Sequence, residues 1–295
     1  MNAAKTVFLL VLLSGIFVAA GYIVAGPTGL IIAGVVAVVM NFGSYWSSDK
    51  LVLRITGARE VTANQEPHLH RIVDEVAAMA GMPKPKVYIM QNDAPNAFAT
   101  GRNPKHAAVA VTTGIMRILD DRELTAVLGH EMAHIRNRDI LVSAIVAAIG
   151  SAIGILPWLL FFFGFGRSRG GGYIQLVALL VTLIRAPLAA AIIRMAISRQ
   201  REFGADETGA QITHTPLSLA SALEKLETHS RARPMKVNPA VSHLFIVNPL
   251  KGARRQQQGN MMMGFFGSEA FSTHPPMRKR IERLNEIARK MGTYA

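Results

Sequence analysis

Hydrophobic and polar positions divide the chain into long apolar runs that alternate with polar regions. The first run, residues 6–25, carries no charge and has about the length needed to span a bilayer, and a second run starts at Leu30. Two further runs cover residues 140–166 and 174–197. This pattern predicts an integral membrane protein with about four transmembrane helices. They would form one hairpin in residues 1–46 and another in residues 140–197.

Two of these runs allow another interpretation. Lys5 and the small residues near the end of the first run fit a cleaved signal peptide. A second apolar run follows almost at once, however, where a polar mature domain would be expected. The fourth run contains Arg185, Pro187 and Arg194, and charges are costly at bilayer depth. A helix buried in protein or lying at the interface is therefore the alternative to a true fourth span.

Four spans would place both polar regions, residues 47–139 and 198–295, on the same side of the membrane. Lys5 and the basic flanks of these regions indicate the cytoplasmic side, whereas Arg167 and Arg169 between the third and fourth runs argue for the opposite orientation. With both regions on one side, we expect them to be the two halves of one catalytic domain.

The first polar region predicts a helix, three strands and a second helix. Apolar residues at helical spacing favour a helix over residues 67–82, bounded by Pro67 and Gly81. The segments "KPKVYIM", "NAFATG" and "HAAVAVTTG" predict strands of a small antiparallel sheet. Asp120 and Glu123 have the spacing of a capping box, which predicts that the next helix begins there.

That second helix carries the sequence "LGHEMAHIRNRD". His130 and His134 are four residues apart, so they project from one face of the helix and can both reach a zinc ion at ~2.0–2.1 Å. Glu131 follows the first histidine and can accept a proton from an attacking water. A structural zinc site and a chance match on a surface helix are the alternatives. The position on a capped helix after strands favours a catalytic zinc site.

A catalytic zinc ion takes three protein ligands, and the third must come from elsewhere in the chain. The chain has no cysteine, so this ligand must be His, Asp or Glu. In the segment "SRQREFGADETGA", Glu202 and Asp206 are four residues apart, which predicts Glu202 as the third ligand. Asp206 would accept a hydrogen bond from the outer nitrogen of a ligand histidine. The alternative is a solvated helix start in which both acids pair with Arg199 and Arg201.

Composition bounds the remaining choices. The lack of cysteine excludes disulfides, Cys-ligated metals and Cys nucleophiles. The net charge of +13 could indicate nucleic-acid binding. The basic residues are scattered, however, and form no stripe with interleaved aromatics. We therefore predict a lipid bilayer as partner and no nucleic acid.

The arrangement of motifs resembles a known family. "ELTAVLGHEMAHIRNRD", two apolar runs and then "REFGAD" are similar to the HtpX membrane zinc metalloproteases, relatives of the CAAX prenyl proteases. Three other segments match in order: "PNAFATGRNPKHAAVAVTTGIM", "PAVSHLFIVNP" and "FSTHPPMRKRIERL". The resemblance therefore covers nearly the whole chain.

The resemblance implies a fold and a set of site residues. The fold is an α+β integral membrane protein with a mainly helical, zincin-type catalytic domain, a small β-sheet and four spans. One Zn²⁺ per chain would be bound by His130, His134 and Glu202, with Glu131 as general base.

Two implied roles stay open. Asn96, Ala97, Phe98 and Ala99 would form an edge strand that binds substrate backbone, or they would be a buried strand whose Phe98 packs in the core. His274 would donate a hydrogen bond to the oxyanion, and Arg280 would be a second residue at the oxyanion. Otherwise His274 and Arg280 only fasten the last helix.

The function implied is zinc-dependent endopeptidase activity on misfolded or damaged membrane proteins, at the cytoplasmic face of a bacterial inner membrane. The alternatives are an inactive zinc-binding adaptor, a prenyl-peptide processing protease and a transporter. A transporter would be expected to show an internal repeat. A prenyl protease would enclose a larger cavity than four spans can build. The loop of residues 250–273 receives no predicted role, and the sequence predicts no oligomeric state.

Overall fold

The computed structural model describes residues 50–139, 199–232, 244–247 and 275–293, together with residues 26–36 and a few isolated positions between 15 and 39. The chain forms two compact units. One unit comprises Met1–Trp46 and Leu141–Ile197, and the other comprises Ser47–Ile140 and Ser198–Ala295. The elements described below belong to the second unit.

The predicted membrane spans fall largely outside the described residues. Residues 26–36 are helical, and Ile31, Ile32 and Val35 each expose more than half of their surface there. In the part of the chain that the structure describes, no helix combines the length and the hydropathy needed to cross a bilayer.

A four-stranded mixed sheet forms one layer of the second unit. Its strands are β1 (Arg59–Glu60), β2 (Lys86–Met90), β3 (Ala97–Asn103) and β4 (His106–Thr112). Their order is β1-β2-β4-β3, so β3 lies at an edge of the sheet.

The prediction of a purely antiparallel sheet is wrong at one pairing. β3 and β4 form an antiparallel pair, but β2 and β4 run parallel. The reason is that β4 is buried along all but its first residue and therefore takes the inner position, which moves β3 out to the edge.

Helix α1 covers Pro67–Met79, so the prediction of a helix that starts at Pro67 is confirmed, and the helix ends three residues before the expected limit. Gly81 follows it with a φ of 63°, a left-handed conformation that a glycine adopts without strain. Leu69, Ile72 and Val73 are buried on its inner face. This face packs in the main core together with the sheet and the next long helix.

A short helix, α2 (Thr113–Ile118), leads into α3 (Asp121–Asn137). The predicted capping box is confirmed, because the Asp120 side chain accepts from the Glu123 backbone N–H and the Glu123 side chain accepts from the Asp120 N–H. The buried Glu123 carboxylate also accepts bonds from Ser221 and Lys225. It therefore anchors the first turn of α3 to a helix about 100 residues further along the chain.

The other described helices are α4 (residues 199–213), α5 (Pro216–Ala232) and α6 (Met277–Met291).

Two glycines let α3 and α4 touch backbone to backbone. A Cβ atom on Gly209 would lie 2.8 Å from the backbone N and Cα of His130, and one on Gly129 would lie 2.4 Å from the Thr213 side chain. Neither separation is possible for a real Cβ, so a side chain at either position would push the helices apart. The close approach places Glu202 and Asp206 of α4 beside the histidine face of α3.

Candidate metal centre

Three possible metal ligands converge between α3 and α4. His130 Nε2 lies 3.2 Å from His134 Nε2, and Glu202 carboxylate oxygens lie 3.5 Å from His134 Nε2 and 3.9 Å from His130 Nε2. Among the described residues, these three form the one group of His and acidic side chains whose geometry could hold a metal ion. The structure thus brings together the three residues that the sequence analysis selected as ligands.

The size of this triangle fits zinc. Ligand atoms at ~2.0–2.1 Å from a tetrahedral ion lie ~3.4 Å from one another, close to the three separations observed. Two imidazole nitrogens and one carboxylate oxygen are also a donor set that zinc commonly takes in catalytic sites, with a fourth position left for water or substrate. The residues present therefore fit the metal that the motif implies.

The His130 ring is fixed by a fully buried ion pair. His130 Nδ1 lies 3.0 Å from an Asp206 carboxylate oxygen, and Arg280 grips the same carboxylate at 2.9 Å through Nε and 2.7 Å through Nη2. All three residues are buried. Burial alone would raise the pKa of Asp206, but the Arg280 charge and the His130 hydrogen bond outweigh it and lower the pKa below its ordinary value. Asp206 therefore stays ionised and orients the Nε2 lone pair of His130 towards the ligand triangle.

The His134 ring has its own carboxylate, which sequence reasoning missed. α3 ends at Asn137, and Arg138 adopts a left-handed conformation with a φ of 58°. This turn brings Asp139 back, so that its Oδ2 lies 2.9 Å from His134 Nδ1. The outer nitrogen thus donates to a carboxylate and leaves Nε2 for a metal, as at His130. The acid five residues after the second histidine was the available signal, but it acts only because the helix stops before it.

The same carboxylate changes the proton affinity of His134. Burial opposes a charged imidazole, but the hydrogen bond to Asp139 and the charges of Glu202 and Glu131 outweigh burial and raise the pKa to about 9. The negative charges of these three carboxylates favour any cation at the Nε2 position, either a proton or a metal ion.

Glu131 lies at the junction of the metal centre and the sheet. Burial raises the pKa of Glu131 and the Glu202 charge adds to this, whereas His130 and His134 work against it. The backbone of Ala99 in β3 also favours the ionised form of the Glu131 carboxylate and so acts to lower its pKa. A buried carboxylate with a raised pKa is a stronger base than an exposed one, which suits proton transfer near neutral pH.

The predicted substrate strand, Asn96–Ala99, leads into and forms the first part of β3 at the sheet edge. Phe98 is fully buried and packs edge to face on Phe245, with ring centroids 5.2 Å apart. Edge position and a core-packed Phe98 therefore occur together, although the sequence analysis treated them as alternatives.

His274 lies outside the described residues. Arg280 is described, and its contacts to Asp206 fix α6 against α4. Arg280 also lies 3.5 Å from Glu202 and 3.5 Å from His130, so it borders two of the three ligands.

Comparison with known proteins decides the family. Residues 63–288 match the sequence profile of Peptidase family M48. The chain belongs to this family. The match extends from α1 to α6 and includes every described residue of the metal centre, which identifies this M48 peptidase as a metalloprotease, a hydrolase.

Relatives at about 50% identity agree with that membership. A "Protease HtpX homolog" of Aquifex aeolicus (strain VF5) is 50% identical over 286 residues, covering 95% of this chain and 91% of the relative. Another of the same name, from Persephonella marina (strain DSM 14350 / EX-H1), is 50% identical over 300 aligned positions, covering 99% and 100%. One from Pyrococcus furiosus is 49% identical over 293 positions. The resemblance to HtpX proteases and the prediction of a metalloprotease are thus confirmed.

The M48 peptidase also shares its fold with a solved structure. The crystal structure of S. mikatae Ste24p superimposes with a TM-score of 0.56 at 18% sequence identity, covering 94% of this chain. The chain spans 62% of the length of that protein. At this identity the similarity establishes the fold, a mostly helical zincin-like arrangement with a small sheet.

Proposed function

We propose that this M48 peptidase is a membrane-anchored zinc endopeptidase that hydrolyses peptide bonds in misfolded or damaged membrane proteins. The observation that carries the proposal is the triangle of His130, His134 and Glu202, whose edges of 3.2–3.9 Å match the ligand spacing of tetrahedral zinc. Glu131 beside this triangle and the edge strand β3 supply the other parts that a peptidase needs.

In the proposed reaction Glu131 acts as general base and general acid. Zinc, when bound, supplies a Lewis acid that polarises the scissile carbonyl and activates water near neutral pH. Glu131 accepts the proton of the attacking water and then delivers it to the leaving amine. The backbone of Ala99 in β3 favours the ionised form of this carboxylate, the form that accepts the proton. His274 at the oxyanion stays part of the proposal on the strength of the family resemblance alone.

Asp206 and Asp139 would keep the two histidines in the tautomer that binds metal. Each accepts from an Nδ1–H group, so each Nε2 carries the free lone pair. Arg280 neutralises Asp206 and joins α6 to the site, so we assign it a positioning role. These contacts preorganise the ligands before the metal arrives.

The substrate backbone would add to the outer edge of β3 next to Glu131. Such β-augmentation supplies main-chain hydrogen bonds to an extended peptide. It would bring the scissile bond within reach of both Glu131 and the metal ligands, because Ala99 of β3 already contacts Glu131.

The membrane location is supported by the four apolar runs and by the exposed apolar side chains of residues 26–36. We propose a bacterial inner-membrane location with the catalytic unit in the cytoplasm. Modification of single cysteines introduced into residues 47–139, in intact cells and in inverted vesicles, tests this orientation, because the native chain offers no thiol of its own.

The first test of function is cleavage of unfolded casein by the full chain purified in detergent, with zinc content measured on the same samples. Wild type is compared with Glu131→Gln, which keeps the size of the side chain and removes its basicity. We expect about one zinc ion per chain in both proteins and at least ~100-fold slower cleavage by the variant.

Zinc in both proteins with equal cleavage would remove Glu131 from the mechanism. Zinc in both with cleavage by neither would favour the metal-binding adaptor. Failure of either protein to hold zinc after reloading would refute the proposed metal centre.

A further inference from the structure

Residues 244–247, "LFIV", lie along the outer edge of β3. The Ile246 N–H donates to the Ala97 carbonyl at 3.0 Å. The Asn96 side chain bonds Val247 twice, because its Nδ2 donates to the Val247 carbonyl at 2.8 Å and its Oδ1 accepts from the Val247 N–H at 3.3 Å. As the segment advances from Ile246 to Val247, its partners step back from Ala97 to Asn96. The segment therefore meets the start of β3 through one main-chain bond, at Ala97, and through two bonds to the side chain of Asn96, the residue before the strand.

The bond from Ile246 uses a main-chain group, the Ala97 carbonyl, that an added peptide strand would also use. In an antiparallel pair, residues two apart direct their main-chain groups to the same side, so Ala97 and Ala99 share one direction. The Ala97 carbonyl accepts from Ile246, and the backbone of Ala99, two residues further on, influences the Glu131 carboxylate. The first three residues of β3 thus contact both the protein's own segment and the predicted base.

The segment also reaches the metal centre. The Ile246 carbonyl lies 3.4 Å from Arg280 Nη1, and the same nitrogen lies 3.5 Å from Glu202. One guanidinium group therefore separates this peptide carbonyl from a predicted metal ligand. A peptide strand added at Ala97 would compete with Ile246 for the same carbonyl, beside Arg280.

An aromatic side chain anchors the segment. Phe245 is fully buried against Phe98, in a small apolar cluster that is separate from the main core and includes Leu53, Met90 and Ala94. The cluster includes Phe98, so it lies on the face of the sheet opposite Ala97 and Ala99, whereas Ile246 and Val247 pack in the main core. Phe245 therefore occupies an apolar site that an aromatic side chain of an added strand could take.

We propose that residues 244–247 are an internal pseudosubstrate, which fills the substrate position on β3 and must leave before a polypeptide can bind. An extended peptide with an aromatic residue followed by a β-branched aliphatic residue displaces it best, because such a peptide reproduces the Phe245 anchor and the Ile246 hydrogen bond. This inference rests on the proposed use of the β3 edge by substrates, and its first test requires no hydrolysis.

The test is direct binding of a fluorescent peptide with the sequence "SHLFIVNP", residues 242–249, to the full chain in detergent. The protein carries Glu131→Gln to prevent turnover, either alone or together with Ile246→Pro, which removes the N–H donated to Ala97. We expect the double variant to bind the peptide about tenfold more tightly, because its own segment no longer competes. The matched control peptide carries an N-methyl group on its isoleucine, lacks the same donor, and should bind about tenfold more weakly.

Equal binding of both peptides, or no gain from Ile246→Pro, overturns the proposal and leaves the segment as a fixed part of the fold. Phe245→Leu provides a second variant if Ile246→Pro does not fold, because it keeps every backbone donor and weakens only the anchor. With zinc content unchanged, Phe245→Leu should raise kcat/KM several-fold on an extended peptide. A fall in kcat/KM, or no change, would contradict the pseudosubstrate role.

Loss of casein cleavage in wild type, with the peptide still bound as expected, would refute the proposed protease activity without affecting this inference. The two proposals therefore fail separately.

Discussion

The two histidines of the metal centre are supported in different ways. The His130 side is buried, and its supporting residues come from two other helices, since Asp206 lies on α4 and Arg280 on α6. The His134 side is partly exposed, with 15% of its side-chain surface accessible, and its support comes from Asp139, five residues away. One ligand is thus fixed by the tertiary fold and the other by the way a single helix ends.

Because of this difference, we expect substitutions on the two sides to affect the stability of the protein and its metal affinity differently. The Asp206–Arg280 pair is a buried ion pair, so removing either partner leaves a charge without compensation inside the protein. Asp139 is also buried, but it lies just beyond the end of α3 and bonds the His134 ring, so its loss mainly frees that imidazole ring. We expect substitutions on the His130 side to affect folding and metal affinity together, and those on the His134 side to affect metal affinity alone.

The largest effect is expected for Arg280→Met, which keeps much of the side-chain volume and removes the charge. It leaves Asp206 buried without its partner, and we expect a loss of about 3–5 kcal/mol in the free energy of unfolding, together with loss of zinc. Arg278→Met is the matched control on the same helix, because the Arg278–Glu282 pair is exposed and should contribute less than about 1 kcal/mol. Denaturant unfolding of both variants checks this, and equal losses would contradict the buried-pair argument.

Gly209→Ala should have the next largest effect. Its new Cβ would lie 2.8 Å from the His130 backbone, so α3 and α4 must separate, with a cost of about 1–3 kcal/mol and weaker zinc binding. Gly204→Ala on the same helix meets nothing within 4 Å and should be neutral or stabilising by up to about 1 kcal/mol. Melting temperature and zinc content distinguish them, and similar behaviour of the two variants would mean that helix contact does not position the ligands.

Asp139→Asn tests the locally supported histidine. The amide can no longer hold the His134 ring through a charge-assisted bond, and we expect zinc affinity to fall about 10–100-fold with little change in the melting temperature of the zinc-free protein. Competition with a chelator measures the affinity. An equal loss of zinc-free stability in Asp139→Asn and Asp206→Asn would remove the distinction between the two sides.

The smallest effect is expected for Asp120→Ala at the start of α3. It removes the N-cap, which should cost about 1 kcal/mol of stability, while zinc affinity stays within about twofold because the ligands lie several turns further on. A large loss of zinc would show that the start of α3 also positions the ligands.

Local features of the fold could be predicted from the sequence, and the sheet topology could not. The capping box at Asp120 and the histidine spacing depend only on neighbours within one helix, so both follow from the pattern. The parallel pairing of β2 with β4 depends on which strand is most buried, which no single strand's pattern reveals.

Those site residues whose positions depend on spacing within one helix could be predicted from the sequence. Glu202 and Asp206 share one face of α4, as their separation of four residues predicts. Asp139 was missed because the prediction relied on residue spacing within a helix. Asp139 lies beyond the end of α3 and reaches His134 only through a left-handed turn at Arg138. The role of Arg280 stayed open because its partner, Asp206, lies 74 residues away in sequence.

Substrate binding at the edge of β3, as proposed, would have a consequence for which proteins can be degraded. The outward groups of this edge at Ala97 and Ala99 are main-chain atoms, which cannot distinguish one side chain from another. A polypeptide whose N–H and C=O groups are already paired within a helix or a sheet has none to offer this edge, whereas an unfolded stretch offers all of them. Binding of this kind would depend more on whether a polypeptide is unfolded than on its sequence. A protein would therefore become a substrate when it loses its structure.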